Sequence, residues 1–126
     1  MLDVDRSKRF YADHFGFDPA TAQRYADGTV IIRNADGFDL ALHEVDEPGQ
    51  VPPFLHFGFR LPSGADVRTA LARLRAGTVE IIEHDDEPEM VSFKCLDPDG
   101  HRIEVYWEVQ RAALPGQRRL LRNVVT

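Results

Sequence analysis

A single cysteine, Cys95, stands in the 126 residues, and neither a histidine nor a second cysteine lies close enough along the chain to form a local zinc knuckle with it. An internal disulfide is excluded. Cys95 reads as a buried strand residue, with a reactive thiol as the alternative. Basic residues are also in deficit. Against 21 acidic side chains there are 15, giving a net charge of −6 and no electrostatic footprint for nucleic acid. No apolar run approaches the roughly 20 residues of a membrane span, and Met1-Leu2-Asp3-Val4-Asp5 lacks the basic and apolar regions of a secretion signal. These absences point to a cytoplasmic protein whose partner is a small molecule, with no role for nucleic acid or membrane. The length suits one domain over residues 1–126, which buries about two thirds of its unfolded surface.

What is present is organised by turns. Asp97-Pro98-Asp99-Gly100 carries the chemistry of a tight hairpin: Pro presets φ, Asp hydrogen-bonds its own backbone and Gly takes positive φ. It separates a β-prone run, Met90 to Leu96, from His101 to Trp107, where Ile103, Val105 and Trp107 alternate with Arg102, Glu104 and Tyr106. Upstream, Val79 to His84 reads as a strand. Ser63 to Ala76 reads as a helix with Ser63 as N-cap, Val67, Leu71 and Leu74 on one face, and Gly77 as C-cap. Phe54 to Leu61 is a further strand, so residues 54–107 run βαβββ.

The first half repeats the pattern. Asp5 to His14 reads as a helix leaving through Phe15-Gly16-Phe17, followed by strands at Ala22–Tyr25, Thr29–Arg33 and Phe38–Val45. Its last turn, Asn34-Ala35-Asp36-Gly37, precedes Asp97-Pro98-Asp99-Gly100 by 63 residues, and the same shift relates the two helices. An internal duplication follows. The first strand of the first module is missing, because a 63-residue shift of Phe54–Leu61 falls before the chain begins. The segment Leu120-Leu121-Arg122-Asn123-Val124-Val125-Thr126 has strand composition, and joined to the N-terminus it would lead straight into the first helix. The order reads as if circularly permuted, which compact domains with neighbouring termini tolerate; a tail without fixed structure is the alternative.

Asp3-Val4-Asp5-Arg6-Ser7-Lys8-Arg9-Phe10-Tyr11 with Phe15-Gly16-Phe17, then Leu55-His56-Phe57-Gly58-Phe59, then Asp97-Pro98-Asp99-Gly100-His101-Arg102-Ile103-Glu104, resemble the vicinal oxygen chelate superfamily of glyoxalases, bleomycin resistance proteins and extradiol dioxygenases. They stand in the family's order and cover most of the chain. The resemblance implies an α+β fold of two βαβββ modules whose curled mixed sheets surround a cavity, which holds a divalent metal in the enzymes and is an empty pocket in the drug-binding members. Module one would take residues 1–47 with 118–126, and module two residues 52–108.

Within that frame, the period of two in Phe54–Leu61 puts His56, Gly58 and Arg60 on one face and Leu55, Phe57, Phe59 and Leu61 on the other, against the helix. Gly58 keeps the cavity floor low. On the last strand Ile103, Val105 and Trp107 go to the core, and Arg102, Glu104, Tyr106 and Glu108 to the cavity. His56 and Glu104 then converge as a ligand set suited to Fe, Ni, Mn or Zn with open positions for substrate oxygens. The alternative is a hydrogen-bonded pair. The family's enzymes take further ligands from the first module, and here the sequence departs from them. The duplication shift maps Glu104 to Ala41, which binds no metal, and leaves His43, on the same strand face, as the third candidate ligand; Glu44 has the opposite parity. Arg60, Arg102 and Tyr106 are candidate substrate-binding residues, or else partners of Glu104 and Glu108 in ion pairs. His14 and His101 read as surface residues. His84 opens an acidic loop, Asp85-Asp86-Glu87, either solvated or a lid.

The resemblance implies a divalent-metal-dependent lyase, isomerase or dioxygenase acting on a small oxygenated substrate, with the metal stabilising an enediolate or oxyanion and Glu104 or a neighbour moving the proton. A metal-free protein that sequesters a planar or cationic small molecule between Phe54, Tyr106 and Tyr25 is the competing expectation. A strand-deficient first module would expose a sheet edge that needs covering. The segment 118–126, in the same chain or exchanged within a homodimer, has the composition to cover it. Deleting residues 118–126 should therefore lower the melting temperature strongly and promote aggregation. A truncated chain with unchanged melting temperature, and unchanged size by light scattering, would sink this assignment.

Overall fold

The computed structural model describes residues 3–46 and 55–109, and the chain divides into two compact units, Met1–Gln50 and Val51–Thr126. Phe54, the 118–126 segment and the wrap-around order built on it lie outside the described residues. No helix among the described residues is long and apolar enough to cross a membrane.

In the first unit, α1 (Val4–Phe15) begins at Asp3, whose carboxylate accepts from the Arg6 N–H at 3.0 Å, and ends at Gly16 in the left-handed region at φ 69°. Val4, Ser7 and Tyr11 form its buried stripe. The stripe packs on an antiparallel sheet of β1 (Phe17–Arg24), β2 (Val30–Asn34) and β3 (Asp39–Leu42), in the order β1-β2-β3. Val30 lies opposite Leu42 and Ile32 opposite Leu40, which puts these four side chains on one face. Phe17 meets the Tyr11 ring edge-on with centroids 5.8 Å apart.

β1 starts five residues earlier than the expected Ala22, and runs through Pro19. An edge strand tolerates a residue without an N–H. Its pairing with β2 is interrupted between Asp18 and Gln23. There the Thr21 hydroxyl takes over, accepting from the Arg33 N–H at 2.8 Å and donating to the Asp18 carbonyl at 2.6 Å.

The second unit opens with β4 (His56–Arg60) and α2 (Gly64–Ala76), followed by β5 (Ile81–Glu87), β6 (Met90–Leu96) and β7 (Arg102–Glu108). The sheet order is β4-β7-β6-β5, parallel between β4 and β7 and antiparallel elsewhere. α2 packs on β6 and β7. Its Val67, Leu71 and Leu74 are buried, as are Phe57, Val91, Phe93, Cys95, Ile103 and Val105 on the sheet. Ser63 caps the helix by accepting from the Asp66 N–H at 3.1 Å. At the first helical residue, a Cβ on Gly64 would stand 2.9 Å from Val91 Cγ2, so only glycine lets the helix start this close to the sheet.

The duplication is visible in hydrogen bonds. Asn34 and Asp97 each accept from a glycine N–H three residues on, Gly37 at 3.1 Å and Gly100 at 3.0 Å. Each side-chain oxygen accepts twice more: Asn34 from Asp36 and Phe38 N–H at 3.1 and 2.9 Å, Asp97 from Asp99 and His101 N–H at 2.9 Å. Both glycines have positive φ, 80° and 86°. β1, β2 and β3 thus correspond to β5, β6 and β7. β7 continues into β4, whereas among the described residues β3 is paired on one side only.

One expectation is overturned. Asp85, Asp86 and Glu87 are neither a loop nor a lid; they belong to β5, whose ladder with β6 extends to Glu87 opposite Met90. β5 is the edge of the sheet, and charge on an edge strand discourages pairing with another chain. Arg68 on α2 grips Asp86 through two hydrogen bonds of 2.8 and 2.9 Å and holds its carboxyl below the usual carboxylate range.

Phe57 is 8% exposed, and Phe57→Ala should cost ~3–5 kcal/mol in urea unfolding, the range for a large buried aromatic. A loss under about 1 kcal/mol, typical of surface sites, would reverse the strand parity.

Burial, and behind it the Asp97 carboxylate, pushes the Cys95 thiol up to about 12 from an ordinary 9.0. The folded thiol stays protonated where the unfolded one ionises, so stability should fall as pH rises from 9.0 towards about 12. At about pH 8 the native protein should resist a disulfide-exchange reagent and react only in denaturant. Labelling of the native chain at the rate of a free thiol would show that Cys95 is accessible.

Candidate functional site

Parallel pairing of β4 with β7 sets His56 opposite Arg102, Gly58 opposite Glu104 and Arg60 opposite Tyr106. Directly opposed residues share a face, so all six stand on the side of the sheet away from α2. His56 Nε2 lies 3.8 Å from Glu104 Oε2, with side chains 34% and 11% exposed respectively. Between them in register stands Gly58, where a Cβ would crowd β7, 3.1 Å from the Glu104 carbonyl oxygen and 3.4 Å from Glu104 Cβ.

Arg60 is committed locally. It donates to the Glu108 carbonyl at 2.7 Å, lies 3.9 Å from the Glu108 carboxylate and sits with its guanidinium carbon 5.9 Å from the Tyr106 ring centroid. Tyr106 beneath it is 1% exposed. Arg102 is half-buried, and among the described residues its side chain is in no hydrogen bond or ion pair. His43 lies in the first unit just after β3, exposed, its Nδ1 3.3 Å from the Thr29 hydroxyl. Tyr25, in the same unit, is 48% exposed and donates to Gln23 at 3.1 Å. Glu44 accepts from the Val4 N–H at 3.1 Å, at the start of α1. The described residues bring together His56 and Glu104, but no group of three or more His, Cys, Asp or Glu able to hold a metal ion.

Lys94 was missed by the sequence reading. It lies opposite Glu104 on β6, with Ser92 opposite Tyr106 and Leu96 opposite Arg102. The signal was available, because folding the chain back at Asp97-Pro98-Asp99-Gly100 fixes that register. Lys94 is 22% exposed and bonds Glu83 on β5 at 3.1 Å.

A family model for the Glyoxalase/Bleomycin resistance protein/Dioxygenase superfamily matches residues 2–105. Among solved structures, the fosfomycin resistance protein FosX of Listeria monocytogenes superimposes with a TM-score of 0.71 at 20% identity, covering 86% of this chain and 87% of that one. A FosX variant complexed with Mn(II) and 1S,2S-dihydroxypropylphosphonic acid gives 0.70 at 17% identity over 86% of each chain. A glyoxylase/bleomycin resistance protein/dioxygenase domain from Frankia sp. EAN1pec gives 0.71 at 20% identity over 87% of each. No curated protein matches the chain. A family-model match over residues 2–105, most of the chain, places this protein in the Glyoxalase/Bleomycin resistance protein/Dioxygenase superfamily.

Proposed function

We propose that the protein is a divalent-metal-dependent enzyme acting on a small oxygenated substrate, with His56 and Glu104 as metal ligands. The observation that carries this reading is the 3.8 Å approach of His56 Nε2 to Glu104 Oε2. Imidazole nitrogen with carboxylate oxygen is a donor set for Fe(II), Mn(II), Ni(II) or Zn(II). Two donors on a tetrahedral ion with bonds of about 2.1 Å stand about 3.4 Å apart. The pair fits after a shift of a few tenths of an ångström, and His56, the more exposed partner, is the one with room to make it. The FosX variant with Mn(II) and a dihydroxypropylphosphonic acid supports the assignment, since a related fold there carries a divalent ion and a ligand with neighbouring oxygens.

When bound, the ion would supply a Lewis acid that polarises a substrate oxygen. The chain's own residues do the rest. Glu104, buried on β7, would hold the ion through its carboxylate, and a carboxylate so placed is a candidate to take the substrate proton. Arg102 orients the substrate by charge-assisted hydrogen bonds. Arg60 acts through Tyr106, fixing the ring that forms the floor beside Glu104. His43 is a third ligand only if it is carried to this pair.

Calorimetric titration with Ni(II), Mn(II) or Zn(II) should show up to one ion per chain, with uptake abolished in His56→Ala and in Glu104→Gln. Unchanged uptake in His56→Ala, or no uptake by the parent protein, would remove the metal enzyme and leave metal-free ligand sequestration in its place. A loss of affinity in His43→Ala would add His43 to the ligand set.

A further inference from the structure

We infer that Lys94 and Arg102 form an anion-binding pair that restricts the His56–Glu104 site to substrates carrying an oxyanion, a carboxylate or phosphonate next to a hydroxyl. The inference rests on the metal-site reading above and names its substrate class. Its basis is the register of three adjacent strands. Arg102 is the direct neighbour of His56 across the β4–β7 pair, and Lys94 is the direct neighbour of Glu104 across the β6–β7 pair. Opposed residues of a sheet carry their Cβ atoms roughly 4.5–5.5 Å apart on one face. Each candidate ligand is therefore flanked by one cation.

The two cations differ in how they are held. Arg102 is half-buried and makes no side-chain hydrogen bond or ion pair among the described residues, an arrangement that suits an incoming partner. Lys94 is bound, among the described residues, to Glu83, whose side chain is 58% exposed on the edge strand. An ion pair with its carboxylate in solvent on an edge strand contributes little. A substrate oxyanion in a less solvated position, able to accept from Lys94 and Arg102 together, competes with Glu83 favourably. Arg60 does not join them, because Glu108 and the Tyr106 ring already occupy it. The site thus has two available cations where sequence parity pointed to Arg60 and Arg102.

Three probes of nearly one shape separate the possibilities: glycolate, hydroxymethylphosphonate and the neutral glycolamide, each titrated calorimetrically into Mn(II)-loaded protein. Both anions should bind at least tenfold more tightly than glycolamide. The stronger of the two identifies the carboxylate or the phosphonate as the natural group. Lys94→Gln should erase most of that preference and Lys94→Arg keep it. Glu83→Gln, which releases Lys94, should tighten anion binding severalfold, while Arg75→Gln on the exposed surface of α2 should change nothing. Equal affinity for the three probes, or an undiminished preference in both Lys94→Gln and Arg102→Gln, overturns the inference while leaving metal uptake intact. Should the protein take up no metal, the metal-site reading fails by itself. Hydroxymethylphosphonate is then titrated into the metal-free protein, where loss of binding in Lys94→Gln still supports the anion pair, and binding indifferent to Lys94 or absent overturns it.

Discussion

The parallel ladder between β4 and β7 is the constraint on which the second unit depends. Side chains on a strand alternate between faces, so one register decides two things at once. With Phe57 opposite Ile103 and Phe59 opposite Val105, the apolar set goes under α2; with His56, Gly58 and Arg60 opposite Arg102, Glu104 and Tyr106, the polar set goes to the other face. A slip of one residue would bury His56 and Glu104 beneath the helix and expose Phe57. The burial of Ile103, Val105 and Phe57 on the face opposite the polar set therefore fixes the register that holds the candidate ligands in place.

Glycine sets the close distances in this arrangement. Gly64 lets α2 begin in contact with Val91 and Trp107, and Gly58 lets the β7 backbone at Glu104 pass close beneath the site. Neither residue takes an unusual φ; in both the missing Cβ is the point. The two act on opposite faces of one sheet, Gly64 bringing the helix down onto the core and Gly58 keeping the polar face beside Glu104 and Tyr106 uncrowded.

Where the sequence carried its own local instructions, the fold was legible. β6 has the expected bounds Met90–Leu96, α2 its Ser63 cap, and the turn at Asp97 the hydrogen bonds that Pro, Asp and Gly imply. Misreadings arose where a tertiary partner overrides composition. Acidic residues have low strand propensity, so Asp85–Glu87 looked like a loop until the ladder from β6 and the Arg68 grip on Asp86 are known. Pro19 hid the early part of β1 because the Thr21 hydroxyl stands in for a ladder bond. Parity along single strands put His56 and Glu104 on one face, as the ladder does, but parity was not carried round the hairpin, so the place of Lys94 opposite Glu104 went unread. Nor does parity reveal that Arg60 is occupied by Glu108, a contact between residues 48 apart in sequence.

The duplicated backbone carries different side chains at equivalent positions. With Asn34 and Asp97 as equivalent points, the pair Lys94–Glu104 corresponds to Ile31–Ala41, and both are directly opposed residues in their own sheets. The same two positions on the same ladder are thus an ion-capable pair in one unit and an apolar pair in the other. Ser92–Tyr106 corresponds in turn to Thr29–His43, where the hydroxyl and imidazole stand 3.3 Å apart. His43 is therefore the counterpart of Tyr106, not of Glu104, which accounts for its engagement with a hydroxyl-bearing neighbour across the strands. An equivalence of backbones fixes where a side chain stands and leaves its chemistry open.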